Sequence, residues 1–204
     1  MRTFYLPLLF TCFTIPCLAQ SNTIPISVSV FNNGTSLPGT GYAGMFSKTI
    51  HPGITLGTYH LYQLKKKHEL FQSFKLGYFY HRHAQHAVQL YSELGYRYLT
   101  ASGFYADATL GAGYLHSFAD VQQFTFKDGA YKKRPNLGRP QLMVSFAVSA
   151  GYDFTKQKLP LRLFVQYQFW MQTPFVKKYV PLLPNTALHL GIIYQWNRTK
   201  QTSN

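Results

Sequence analysis

Residues 188–196 alternate between large apolar side chains and mostly small or polar ones, and they end on an aromatic residue. Successive side chains of a β-strand point to opposite faces of the sheet, so this period of two is typical of a half-buried strand. One face would carry Leu188, Leu190, Ile192, Tyr194 and Trp196, and the other His189, Gly191 and Gln195. Six upstream segments repeat this design. The chain is therefore expected to form a sheet with one continuous apolar side.

The first 19 residues have the anatomy of an export signal. Arg2 gives a positive start, the run Phe4–Leu18 is apolar, and the small residue Ala19 follows. We predict a secretory signal peptide over residues 1–19, cleaved between Ala19 and the next residue. A membrane anchor is an alternative, but an apolar run of about 15 residues with two prolines is short for a spanning helix. A lipid anchor on Cys17 is a second alternative, which the preceding Pro16 disfavours.

Cysteine usage and charge limit the chemistry. Both cysteines, Cys12 and Cys17, lie inside the predicted signal peptide, so the mature chain would contain neither a disulfide nor a reactive thiol. The chain has 20 Lys and Arg against 6 Asp and Glu, a net charge of +14. Nucleic-acid-binding proteins can be equally basic, but an exported chain is not expected to bind nucleic acid. Anionic groups at a cell surface, such as phosphorylated lipid headgroups, remain as partners.

Composition favours a membrane protein built from strands. Charged residues make up 13% of the chain, about half the usual share in soluble domains, and aromatic residues make up 17%. After the signal peptide, no apolar run approaches the roughly 18 residues of a membrane helix. A soluble β-sandwich would share the alternation, but it would not need so many aromatic residues near its strand ends. Low charge, many aromatics and abundant glycine together indicate a transmembrane β-barrel.

Eight strands are predicted, and the gaps between them alternate in length. The strands are Ile24–Phe31, Ile54–Tyr62, Leu70–Arg82, Val88–Tyr98, Phe104–Phe118, Gln141–Phe154, Leu161–Gln172 and Thr186–Trp196. The gaps after the second, fourth and sixth strands are short, and three of the other four are long. Short periplasmic turns, long outward loops and an even strand number are the pattern of outer-membrane barrels. We therefore predict an all-β, eight-stranded, antiparallel up-and-down barrel over residues 20–196, with a periplasmic tail over residues 197–204.

The predicted strands place ionised residues on their minority polar face. A Lys or Arg on the lipid face near mid-membrane costs about 2–4 kcal/mol, so this sorting is required of a membrane barrel. In a narrow barrel the inward side chains fill the interior, where opposite charges must pair. We expect an internal network of Lys75, Arg97 and Arg162 with Glu93, Asp107 and Asp153. The network is interpreted first as structural filler and, alternatively, as a gated or proton-conducting path.

The export signal, the eight strands, the loop lengths and the closing segment Leu190-Gly191-Ile192-Ile193-Tyr194-Gln195-Trp196 resemble small Gram-negative outer-membrane barrels of the OmpA transmembrane-domain type. The resemblance covers nearly all of the mature chain and rests on architecture, not on a family-specific motif. It implies a location in the outer membrane. It also implies that the aromatic end of the last strand is recognised by the barrel-assembly machinery, although here residues 197–204 continue past Trp196.

A catalytic role is an alternative, because the chain resembles in size some outer-membrane barrels that are lipid A-modifying acyl hydrolases or acyltransferases. Such enzymes need a nucleophilic hydroxyl, a base within hydrogen-bond reach and a third group that orients the base. The candidates are Ser117, His116 and Glu93. Because Ser117 and His116 are adjacent, they point to opposite faces of a strand. We therefore expect a non-enzymatic protein, with the lipid A enzyme as the alternative.

A histidine cluster lies at the predicted outward end of the third and fourth strands. His81, His83 and His86 could converge on zinc or copper if the turn brings His86 back to the other two. No cysteine or carboxylate completes the set nearby, and histidines are common in surface loops. We expect no metal and no cofactor. If a metal were bound, these three histidines would be its candidate ligands.

Two predicted outward loops are rich in bases. Lys132, Lys133, Arg134, Arg139, Lys177 and Lys178 are candidates for charge-assisted contacts to phosphorylated lipopolysaccharide. The alternative is that they are solvated loop tips. The resulting prediction is a monomeric outer-membrane barrel with a packed polar interior and a structural or surface-interaction role. A second alternative is a soluble exported barrel that binds an apolar ligand inside, for which the two faces of every strand would be inverted.

Overall fold

A computed structural model describes residues 23–35, 50–65, 67–82, 84–122, 124–127, 129–133, 135–175 and 181–197. The predictions for residues 1–19 and for the tail after Asn197 lie outside these residues. The strands are β1 (Thr23–Gly34), β2 (Pro52–Leu64), β3 (His68–His81), β4 (Gln85–Leu99), β5 (Phe104–Ala119), β6 (Phe124–Lys127), β7 (Ala130–Lys133), β8 (Arg139–Asp153), β9 (Leu161–Thr173) and β10 (Leu183–Asn197). A 3₁₀ turn, Phe154–Gln157, follows β8. Among the described residues, no helix has the length and hydropathy needed to cross a bilayer.

Eight of these strands close into a barrel in the order β1-β10-β9-β8-β5-β4-β3-β2. All the paired strands are antiparallel. Barrel strands that are consecutive in the sequence are neighbours in the sheet. The predicted eight-stranded up-and-down barrel is thus confirmed. β1 pairs along its length with β10 and also with β2, and so closes the sheet.

Two features of the fold were not predicted. First, β3 begins at His68, so Glu69 belongs to a strand and not to the preceding turn. Second, β6 and β7 form a separate two-stranded hairpin within the predicted loop 119–140. The short connections after β2, β4 and β8 lie at one end of the barrel, called the inner end, together with the start of β1 and the finish of β10. The long connections and the turn between β3 and β4 lie at the other, outer end.

The two faces of the wall have opposite chemistry. On β9, Leu163 and Val165 are 42% and 46% exposed on the outside, whereas Arg162 and Gln166 are 9% and 3% exposed and point inward. The same alternation runs along β3, β4, β5 and β8. The alternative of a soluble barrel with an apolar interior is therefore wrong, because its faces would have to be inverted. A sheet whose outside is this apolar requires lipid around it.

Glycines make room inside for large side chains on neighbouring strands. A Cβ on Gly95 would lie 2.3 Å from the ring of Phe71, its cross-strand partner, and a Cβ on Gly191 would lie 2.5 Å from the ring of Phe164. Aromatic rings that cover cross-strand glycines in this way help to fix the register of curved sheets. These contacts hold Phe71 and Phe164 in the inner half of the barrel, where the ionised residues lie.

Candidate functional site

An ionic cluster occupies the inner half of the barrel. Its members are Glu69, Arg97, Asp107, Asp153 and Arg162, all of them buried. Arg97 contacts Asp107 through Nη2 at 2.8 Å and through Nε at 3.0 Å. Its Nη1 donates to Glu69 Oε2 at 3.1 Å. Arg162 donates from Nε to Asp153 Oδ2 at 2.8 Å and from both terminal nitrogens to Glu69 at 3.0 Å. We call these five residues the inner ionic cluster.

Glu69 is the centre of this cluster, and it was absent from the predicted network. Its carboxylate bridges the two guanidinium groups, which come from strands β4 and β9. The planar guanidinium of Arg97 also lies 4.6 Å from the ring centroids of both Phe71 and Tyr105. Arg97 is thereby satisfied by two carboxylates and by two aromatic rings.

A second ionic group, the central pair, lies farther toward the outer end. Lys75 Nζ is 2.6 Å from Glu93 Oε2 and also donates to Gln166 Oε1 at 3.4 Å. Glu93 accepts from Gln168 Nε2 at 2.9 Å, and it accepts from the hydroxyls of Ser73 and Ser145 at 3.4 Å each. The structure therefore brings all six predicted network residues into ion pairs. It divides them between two groups instead of joining them in one network.

An apolar layer fills the barrel on the outer side of the central pair. It consists of side chains near the outer ends of five strands, each at most 6% exposed: Phe31, Phe79, Leu115, Met143 and Trp170. We call it the apolar plug. Farther out lie buried amides, where Gln85 donates to Gln172 at 3.3 Å and Gln141 donates to the carbonyl of Pro174 at 2.8 Å. Within the described interior, the ionised groups are thus separated from the outer end by an apolar barrier.

The three catalytic candidates do not come together. His116 lies on the outside of β5, where Tyr114 Oη is 2.6 Å from Nδ1 and the Leu137 carbonyl is 3.1 Å from Nε2. Ser117 is 1% exposed and faces inward. Glu93 lies six residues along β4 from Ala87, the cross-strand partner of Ser117, a separation of roughly 20 Å at the usual rise of a strand. The proposed nucleophile, base and acid therefore cannot form a triad.

The structure does not bring the candidate metal ligands His81 and His86 together. His81 pairs with Gln85 across the turn and His86 pairs with Tyr80, so His81 and His86 face opposite sides of the wall. His86 stacks outside on Phe118 with ring centroids 5.2 Å apart, and His83 lies outside the described residues. No group of three or more potential ligands among the described residues is arranged to hold a metal ion. His81 instead contacts His51, with ring centroids 3.6 Å apart, and burial followed by the charge of His81 lowers the pKa of His51.

The outer end carries exposed bases and an exposed hairpin. Arg139 packs its guanidinium 5.3 Å from the ring of Phe175 and donates to that residue's carbonyl at 2.8 Å. Lys132 and Lys133 lie on β7, where both are exposed. The other predicted anion-contact residues, Arg134, Lys177 and Lys178, lie outside the described residues. The described bases are thus at the surface, where they can meet anions in solution or in a headgroup layer.

Comparison with known proteins identifies the fold. No family model matches the sequence, and no curated protein matches it. Among solved structures, Neisserial surface protein A (NspA) superposes with a TM-score of 0.51 at 10% identity, over 86% of this chain and 98% of that chain. Ail, the attachment invasion locus protein of Yersinia pestis, gives 0.46 at 11% identity over 85% and 97%. The outer-membrane enzyme PagL gives 0.46 at 10% identity over 82% and 97%.

The fold is that of an OmpA-like outer-membrane barrel. At these identities the likeness concerns architecture alone, and it transfers no activity from any of these proteins. In outer-membrane barrels the short turns and the chain ends lie on the periplasmic side, and the long loops face outward. In this barrel the inner ionic cluster lies on the side of the short turns and of the chain ends. The apolar plug, the buried amides and the β6–β7 hairpin lie toward the opposite end.

Proposed function

We propose that this protein is a non-catalytic barrel of the outer membrane whose outward loops bind the phosphorylated headgroups of lipopolysaccharide. The observation that carries the proposal is the distribution of charge. Four of the six Asp and Glu residues, Glu69, Glu93, Asp107 and Asp153, are buried inside the barrel, with three of the 20 Lys and Arg residues. This leaves 17 bases and two acids for the rest of the chain, or 16 bases once Arg2 in the predicted signal peptide is set aside.

The sorted charge makes the outer surface a receptor for anions. Arg82, Lys132, Lys133 and Arg139 are exposed at the outer end. Arg134, Lys177 and Lys178 lie in sequence segments that connect strands at that end. The only acid in the sequence of these outer segments besides Asp120 is Asp128. Clustered bases with few acids raise the local concentration of phosphate groups and make charge-assisted contacts with them.

The closed interior supports a binding role over a transport role. Every buried base of the two ionic groups is paired with a carboxylate, and the apolar plug lies between these groups and the outer end. Ion pairs that neutralise one another in a narrow barrel fill it without providing a route for ions. In planar bilayers we expect no channel conductance from the purified protein. A steady ohmic conductance would contradict the closed interior but would leave the binding proposal to its own test.

Binding is tested with the whole protein in nanodiscs of neutral phosphatidylcholine. Titration with lipopolysaccharide and with enzymatically dephosphorylated lipopolysaccharide should give much tighter binding of the phosphorylated form, and this preference should decline steeply between low and high salt. A control protein with Lys132, Lys133 and Arg139 replaced by glutamine should lose most of the preference. Equal binding of the two lipopolysaccharides by the wild-type protein, or no binding at low salt, would refute the proposed function.

The non-catalytic part of the proposal has a separate test. Lipid A from cells that express the protein and from cells that lack it should have the same mass spectrum, because Ser117, His116 and Glu93 do not assemble into an acyl-transfer site. A loss or gain of an acyl chain that depends on expression would establish an enzyme and would overturn this part. Replacement of Ser117 by alanine would then show whether this buried hydroxyl contributes.

A further inference from the structure

A cleft of about 410 Å³ lies at the base of the β6–β7 hairpin. Its polar lining consists of Asp120, Gln122, Lys133 and Asn136. Asn136 donates from its side-chain amide to the carbonyl of Ala119 at 2.8 Å, which fixes one wall to the end of β5. Asp120 Oδ2 accepts from the Tyr80 hydroxyl at 3.1 Å, which ties this lining residue to β3. The volume lies within the range of small-ligand pockets, about 300–1,000 Å³.

The height of the cleft places it in the headgroup layer. The last outward-facing aromatic side chain of β5 is Phe118, which stacks with His86 on the outside of the wall. The cleft begins at the next residue, Ala119. The cleft therefore opens just beyond the apolar band, at the level where the sugars and phosphates of an outer-leaflet glycolipid lie.

One face of the hairpin extends the cleft with aromatic side chains. Phe124 pairs with Lys133 and Phe126 pairs with Tyr131, and directly opposed residues share a face of an antiparallel pair. Phe126 and Tyr131 are 61% and 77% exposed, with ring centroids 5.2 Å apart. Lipid accounts for the exposed apolar residues of the barrel wall, but it does not account for aromatic rings on a hairpin beyond the band. Exposed aromatic patches of this kind mark binding surfaces.

We propose that the cleft and this aromatic face together bind one phosphorylated sugar of the lipopolysaccharide headgroup. Lys133, which belongs to both surfaces, pairs with the phosphate. Asp120, Gln122 and Asn136 offer the carboxylate and amide groups that hydrogen-bond sugar hydroxyls. Phe124, Phe126 and Tyr131 offer aromatic faces against which the C–H side of a sugar ring packs. The inference rests on the proposed function and assigns that function to one site.

The test separates a specific site from general attraction by basic loops. The probes are lipopolysaccharide, its deacylated phosphorylated oligosaccharide and the same oligosaccharide after dephosphorylation, each titrated against the protein in phosphatidylcholine nanodiscs. Lys133→Gln should weaken binding of both phosphorylated probes about tenfold, because it removes one charge-assisted contact. Lys132→Gln is the matched comparison, because Lys132 lies on the opposite face of the hairpin and contributes only to the general attraction by the basic loops, so its loss should weaken binding by only about twofold.

The aromatic contribution has its own matched pair. Phe126→Ala should weaken binding of the deacylated oligosaccharide about fivefold to tenfold, whereas Thr125→Ala on the opposite face should leave it unchanged. Equal losses for Lys133→Gln and Lys132→Gln would refute the site while leaving general binding of lipopolysaccharide intact. Tight binding of lipopolysaccharide with none of the free oligosaccharide would also refute it, because the lipid chains would then be the recognised part. Failure of the wild-type protein to bind any phosphorylated probe would instead refute the proposed function itself.

Discussion

Replacing Glu93 with glutamine is the sharpest perturbation of the barrel interior. The change keeps the size of the side chain and one acceptor oxygen, and it removes the charge that lies 2.6 Å from Lys75 Nζ. Lys75 then keeps only the 3.4 Å contact with Gln166 and whatever the new amide oxygen provides. It cannot reach water easily, because it is 6% exposed and lies on the inner side of the apolar plug.

The expected cost follows from leaving a buried ammonium without its counterion. Removing one partner of a buried ion pair lowers the free energy of unfolding by about 3–5 kcal/mol. Because Lys75 keeps its amide contacts, we expect Glu93→Gln to lie at the lower end of this range, near 3 kcal/mol. Lys75→Met should cost about as much, because it leaves the carboxylate of Glu93 buried and unneutralised. The double variant should lie within about 1 kcal/mol of the wild-type protein, because replacing both charges of a buried pair is often neutral. The coupling energy between the two positions is then about 5 kcal/mol.

Glu69→Gln provides an internal comparison. Each of the two guanidinium groups that Glu69 bridges keeps its own aspartate, Asp107 for Arg97 and Asp153 for Arg162. The cluster has three acids and two bases, so losing one acid brings it to neutrality. We therefore expect Glu69→Gln to cost about half as much as Glu93→Gln, although Glu69 makes more contacts with bases.

The assay is reversible urea unfolding in lipid vesicles, followed by tryptophan fluorescence. Trp170 lies inside, in the apolar plug, and reports on the interior. A cost below about 1 kcal/mol for Glu93→Gln, or a double variant less stable than either single variant, would refute the reasoning. Channel conductance should stay absent in Glu93→Gln, because the plug is untouched. Conductance that appears in Glu93→Gln without loss of stability would favour the alternative of a gated or proton-conducting path.

Three further predictions follow from the same structure. Leu163→Arg places a cation on the lipid face and should cost about 2–4 kcal/mol in urea unfolding; no loss would mean that this face is not in lipid. Trp170→Ala should cost about 3–5 kcal/mol and should produce measurable conductance by opening the plug, and a closed, stable variant would contradict the plug's role. In an NMR titration His51 should show a pKa below 6.5 that rises in His81→Gln. Burial and the charge of His81 favour the neutral form of His51 in the folded state. The folded protein therefore has its full stability above pH 6.5 and loses part of it as the pH falls through the lowered pKa. A pKa of His51 that is unaffected by His81→Gln would exclude the coupling.

The period of two correctly predicted which side chains face outward and which face inward. A strand has only two faces, and the face in contact with lipid must be apolar. The same parity rule contained the information that was missed at Glu69. Ser73 and Lys75 share its parity on β3, but the neighbouring lysines and His68 made the segment look like a turn. Parity across the turn would likewise have separated His81 from His86, once the pairing of His81 with Gln85 was known.

Partner choice inside the barrel could not be predicted in this way. Glu69 and Arg162 are 93 residues apart in sequence and lie on strands that are not neighbours in the sheet. Their contact depends on the stagger of all the strands between them, which period-two patterns do not specify. The β6–β7 hairpin was missed for a different reason. Its strands have four residues each, which is too short for alternation to distinguish them from a loop.

The sorting of charge connects the stability of this barrel to its surface. A narrow interior that contains Lys75, Arg97 and Arg162 needs carboxylates, and it takes four of the six that the chain possesses. The outer loops are left basic because the acids that would neutralise them are inside. A surface of this kind repels other copies of itself, and it is neutralised most effectively by a layer of fixed phosphates. Adding acids to the loops, for instance Lys132→Glu together with Lys133→Glu, should therefore leave urea stability unchanged while weakening lipopolysaccharide binding. A parallel loss of stability would show that these bases belong to the fold and not to a binding surface.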